Sequence, residues 1–143
     1  MNIEKANELV GGYLGWLGIE IKTDTAGIDN GKRWIEIKTP FLLTNRDLIE
    51  VYISETESGF ELCDDGLVLN ELELAGLDLK DPKFVRILTE QLNSSGVVRE
   101  ADVNGFGDHL RKFTTSETFP RAFHEFIQCI LALDALSVVN RFR

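Results

Sequence analysis

The sequence predicts an α+β domain: a mostly antiparallel sheet of four to six strands, packed against an N-terminal and a long C-terminal helix. Three observations predict it. Strand-like stretches between Arg33 and Asp64 are joined by short turns, which favours antiparallel neighbours. An apolar stripe at helical spacing opens the chain. A wider apolar stripe closes it, as expected of a core helix lying across a sheet. A length of 143 residues suits one domain, residues 1–143, with enough chain to bury a core. Apolar residues at 43% and charged residues at 27% are those of an ordinary globular protein.

The first helix is expected over Asn2 to Leu17. Ile3, Ala6, Leu9, Val10, Tyr13, Leu14 and Leu17 recur at spacings of three and four, with Asn2 as cap and Lys5 and Glu8 on the wet side. Gly11, Gly12 and Gly15 each cost on the order of 1 kcal/mol relative to alanine, and Gly18 is a natural stop. Ile19 to Thr23 alternates as a half-buried strand does, and Asp24 to Gly31 reads as a turn with the hairpin signal Asn30-Gly31. The next strand is Arg33 to Thr39, ended or edged by Pro40.

The stretch from Leu48 to Gly76 organises the rest. Leu48 to Glu55 is a strand with Ile49, Val51 and Ile53 on one face and Glu50, Tyr52 and Ser54 on the other. Phe60 to Asp64 returns, with Phe60 and Leu62 inward and Glu61 and Cys63 outward. Asp64-Asp65-Gly66 turns into a short helix over Val68 to Ala75, whose first turn either aspartate could support. Asp81-Pro82 opens a clear helix with Phe84, Val85, Leu88 and Leu92 as its stripe. Val97 to Ala101 and Leu110 to Phe113 are two further strands, turned at Asn104-Gly105. The last helix, about Pro120 to Val139, carries Phe123, Phe126, Ile127, Ile130, Leu131 and Leu133.

Charge is unevenly distributed. Between Glu50 and Asp81 ten acids face the single base Lys80, which equals the net −9 of the chain. The remaining residues balance. Such a charge argues against unassisted binding to nucleic acid or to an anionic membrane, both of which need a basic face. No apolar run approaches the ~20 residues of a membrane span, and MNIEKANELV lacks the basic start of a signal peptide. A cytoplasmic location is expected. Cys63 and Cys129 form no CxxC pair and are expected as buried small hydrophobes.

Two groups of residues could carry function. The first is the acidic surface of Glu50, Glu55, Glu57, Glu61, Asp64 and Asp65. It would repel nucleic acid and attract Lys/Arg-rich grooves. A non-enzymatic protein could use it to occupy the nucleic-acid channel of a basic partner as an inhibitor, DNA-mimicking decoy or regulator, with no metal or cofactor. The second is Asp29 (or Asp24), Glu36 and Lys38. An acid followed by Glu-x-Lys on a strand suits a Mg²⁺-dependent nuclease of the restriction-endonuclease type. Glu36 and Lys38 would lie about 6–7 Å apart on one face, the carboxylates holding Mg²⁺ and the lysine assisting the attacking water. A solvated strand face reads the same way. A third expectation is a dimerising module, from the apolar last helix and exposed edge strands. His109 and His124 stand alone, without a zinc spacing, and no Ser-His-Asp set, P-loop or GxGxxG occurs.

From Thr39 onward the chain resembles a bacterial and prophage family of unknown function, numbered eighteen-twenty-eight. The matching residues are Thr39-Pro40-Phe41, Ile49 to Ile53, Asp64-Asp65-Gly66, Leu72, Gly76 and the FHEFIQCIL helix, with Cys63 where the family carries threonine. The resemblance implies the fold outline and a link to phages or mobile elements, and no chemistry.

Overall fold

The computed structural model describes residues 1–101 and 107–141, the side chains of 140 and 141 excepted. Asn104 and Gly105, expected to turn the chain, lie outside the described residues. The order is α1 (Ile3–Glu20), β1 (Lys22–Asp29), β2 (Lys32–Leu42), β3 (Leu48–Thr56), β4 (Gly59–Cys63), α2 (Leu67–Leu74), α3 (Pro82–Ser95), β5 (Val98–Ala101), β6 (Asp108–Thr114) and α4 (Phe119–Arg141). The six strands form one antiparallel sheet in the order β1-β2-β3-β4-β6-β5. The fold is α+β, as the sequence predicts.

Strand alternation divides the sheet into two faces. Ile37, Ile49, Val51, Leu62 and Leu110 form the inner face, and α2, α3 and α4 cover it with Val68, Leu72, Leu88, Phe126, Ile130 and Leu133. By length and composition Phe119–Val139 could cross a bilayer, contrary to the expectation that no run approaches a span. Here the buried side of that helix is the centre of the core. Its buried Asp134 accepts from the Thr44 amide at 2.7 Å and the Thr44 hydroxyl at 3.1 Å, fastening the β2–β3 connection to α4.

The N-terminal part departs from expectation. α1 runs on through Gly18 to Glu20, and the strand begins only at Lys22. Asp24 to Asp29, expected as a turn, are strand residues held in place by pairing with β2. Tertiary pairing has overridden weak local propensity. Only Asn30 and Gly31 form the turn, both with positive φ, as a type I′ hairpin requires. α1 was expected to pack on the sheet, yet none of its residues is buried; Ala6 and Leu17 are merely half-buried, and the helix rests lightly on β2. Every β1 residue is exposed. The helix layer is centred on β3, β4 and β6 and does not extend over the β1 edge.

Five of the family-like residues have structural roles. The hydroxyl of buried Thr39 donates to the Ile49 carbonyl at 2.7 Å, across the irregularity between Lys38 and Leu42 where Pro40 interrupts the ladder. Asp64 accepts from the amides of Gly66 (2.9 Å), Val68 (3.2 Å) and Leu110 (2.9 Å). Asp65 and Gly66 then turn with positive φ into α2. Gly59 also cannot be replaced, because a Cβ there would run into the Thr114 carbonyl oxygen of β6.

Asp64→Ala would leave three amides without their acceptor at a nearly dry position. Urea denaturation should show a loss of about 3 kcal/mol.

Candidate functional site

The outer face of the sheet has no helix layer. Trp34, Glu36 and Lys38 of β2 point there, with Glu50, Tyr52 and Ser54 of β3, Glu61 and Cys63 of β4, and His109 and Arg111 of β6. Registers Glu36↔Tyr52, Tyr52↔Cys63 and Cys63↔Arg111 place these residues in one row across four strands. The β1–β2 hairpin overhangs the row and helps enclose a cavity of about 550 Å³, lined by Trp34, Tyr52, Cys63, Asp65, His109 and Arg111 among others. That volume is within the range of small-molecule sites.

Glu61 was expected on the acidic surface and is buried instead, at 1% exposure. Two bases neutralise it. Lys32 Nζ donates to Oε1, and Arg111 Nη1 donates to Oε2 at 2.8 Å. Arg111 Nε also lies 2.9 Å from His109 Nε2 and 3.0 Å from a Glu100 carboxylate oxygen. The guanidinium therefore links β4, β5 and β6. Asp64 is a second correction: it is 1% exposed and spent on backbone amides. Burial pushes its carboxyl up, against three amide hydrogen bonds that hold it down. Of the six predicted acids, Glu55, Glu57 and Asp65 are exposed and Glu50 is half-buried. Glu55 and Glu57 lie at the β3–β4 turn; Glu50 and Asp65 lie at the opposite end of that hairpin.

At that opposite end the carboxyls of Glu36 and Glu50 meet. A hydrogen bond with Glu36, burial and the repulsion of its charge push the Glu50 carboxyl up, opposed by Lys38 and the Tyr52 hydroxyl. Tyr52, partly buried and facing both carboxylates, is pushed up to about 12. Beside Glu50 a shallow groove of about 800 Å³ opens between β3 and α2, with Asp47, Glu50 and Asp65 along it.

The nuclease residues are only partly assembled. Lys38 Nζ is 3.9 Å from Glu36, on one strand face as expected. Asp29 pairs with Lys32 at the hairpin tip, four residues along β2 from Glu36, or about 13 Å. It cannot share an ion with Glu36. Asp24 is the acid directly opposite Glu36. Among the described residues no group of three His, Cys, Asp or Glu side chains could hold a metal. His109, read from sequence as solitary, sits in the cavity wall, while His124 is exposed. Trp34 and Tyr52 could have been assigned to the outer face by strand parity. Arg111 could not, because β6 joins β4 only after α2, α3 and β5 intervene.

Glu61→Gln should lower stability by about 2 kcal/mol, since Arg111 would lose its buried counter-charge. Lys32→Met should cost less than about 1 kcal/mol, because that lysine is 45% exposed. Burial pushes the Cys63 thiol up to about 12 and raises that of Cys129 as well. At pH 8 Ellman's reagent should therefore label neither cysteine in the native protein and both in denaturant.

Residues 39–133 match the family model described as "Domain of unknown function DUF1828". No curated protein and no solved structure matches the chain. The matched segment begins at the Thr39-Pro40-Phe41 stretch, takes in the Asp64 turn and ends in the core helix α4. It spans more than half of the 143 residues, so the chain belongs to the DUF1828 family of domains of unknown function.

Proposed function

We propose that the protein is a non-enzymatic interaction module whose acidic rim receives a basic segment of a nucleic-acid-handling partner, as an inhibitor, decoy or regulator. The observation that carries this reading is the Glu36–Glu50 pair. Two carboxyls are held together on an open sheet face, at a cost seen in the raised Glu50 value. A lysine or arginine entering beside them would offset that cost and favour the charged form of Glu50. The groove with Asp47 and Asp65 adds acids at the same place. Among the described residues, Glu55, Glu57, Glu71, Glu73, Asp78 and Asp81 have no lysine or arginine within ion-pair distance. They extend the same negative field without internal neutralisation. A protein link to phages or mobile elements fits such a role and is part of the proposal.

The test is capture of a basic partner from host lysate, with added double-stranded DNA as competitor. Wild-type capture should fall with DNA and with salt. It should be lost in a Glu50→Lys/Glu57→Lys variant, which changes exposed or half-buried positions and spares Glu61 and Asp64. A cation favours the ionised form of Glu50, so affinity should rise with pH as that group ionises above the ordinary value of 4.5. Capture unchanged by charge reversal and by DNA would overturn the reading.

A further inference from the structure

The acidic rim does not account for α1. α1 spans 18 residues, and helices in proteins take most of their stability from packing an amphipathic face. Here Gly11, Gly12, Gly15 and Gly18 add a helix penalty, and nothing lies within 4 Å of where their Cβ atoms would be. Most of the apolar face is uncovered too, although Ala6 and Leu17 at its centre are half-buried where the helix rests on β2. Leu9, Val10, Tyr13, Leu14 and Trp16 are each 50–59% exposed, and Ile3 is 78% exposed. Together they offer on the order of several hundred Å² of largely apolar surface, comparable with the largest patch of a typical monomer, roughly 300–600 Å². A standard interface takes ~800 Å² from each partner, so such a patch can form its apolar centre.

We propose that this face is covered by α1 of a second copy, forming a two-fold homodimer. This goes beyond the proposed function and does not depend on it. The pattern suits a helix pair. Ile3, Val10 and Leu17 recur every seven residues, as do Ala6 and Tyr13, and Leu9 and Trp16 flank that seam. The glycines with Glu4 and Glu8 lie on the opposite side of the helix. Charge selects the occupant. The excess of acids lies between Glu50 and Asp81, whereas α1 carries only Glu4, Lys5, Glu8 and Glu20. Two acidic chains can therefore meet at α1 with little repulsion. An anionic membrane would need a basic polar face, and α1 has one lysine. The same face meeting itself makes a closed, isologous contact.

The test is sedimentation equilibrium of the full chain, with Val10→Glu/Tyr13→Glu as the variant. Wild type should show twice the chain mass of 16.1 kDa at micromolar concentration. The variant should sediment as a monomer at the same concentration. Because no α1 residue is buried, its denaturation midpoint extrapolated to low protein concentration should match that of wild type. A second readout uses Trp34→Phe, which leaves Trp16 as the sole tryptophan. Its emission should shift to shorter wavelength as concentration rises through the dimer range. A wild type that remains monomeric, as it would if a membrane or another protein covered α1, overturns the proposal. So does a dimer that survives the α1 variant, or Trp16 emission that does not change with concentration.

Discussion

The Asp64 carboxylate is the contact on which the rest of the architecture depends. It stands where the chain leaves β4, turns through two left-handed residues and enters α2. Its oxygens take the first amides of that helix and an amide of β6, a strand more than forty residues further along. One side chain thus sets the exit from one strand, the start of a helix and the neighbour of the first strand. It does so almost without water, where replacing its amide partners would be costly. The adjacent Asp65 cannot substitute, because successive residues there point to different sides and Asp65 faces solvent.

From this centre the two sheet faces take different physical roles. The inner face is apolar and closed by α2, α3 and α4, and it supplies the hydrophobic stabilisation. The outer face is polar and only partly roofed, so its charges must be settled by each other. At one end this succeeds: Glu61 receives Lys32 and Arg111. At the other end it is less complete: Lys38 lies 3.9 Å from Glu36, yet Glu36 and Glu50 still press on each other and push the Glu50 carboxyl up. An acid satisfied within the fold is structural, and an acid left in conflict is available to something outside it. The count of acids along the chain cannot separate the two cases.

That distinction also marks what the sequence could reveal. The α+β class, the strand faces of β3, the Asp81-Pro82 helix start and the core role of α4 followed from local periodicity and capping. The Asp64-Asp65-Gly66 turn was legible, although its threefold use by distant amides was not. Glu61 was misplaced because alternation tells which face a residue takes, not whether another strand's arginine will cover it. The N-terminus was misread for a related reason. An apolar stripe announces that a helix has a face that could be buried, and it does not say how much of that face the sheet beside it will cover. The boundary at Lys22 was set by pairing with β2, which is beyond any local signal.

The lack of buried side chains in α1 and β1 grades the molecule's local stability. Backbone amides of β3, β4 and β6 lie in the interior of the sheet beneath the helix layer and can open only when the whole core does. Those of α1 and the outer side of β1 can open with little apolar surface lost. Cooperative unfolding therefore belongs to the segment from β2 onward, which contains the part matched as the family domain. α1 and β1 before it form an adjustable annex. Substitutions there can alter what the protein assembles with while the fold behind it stays constant.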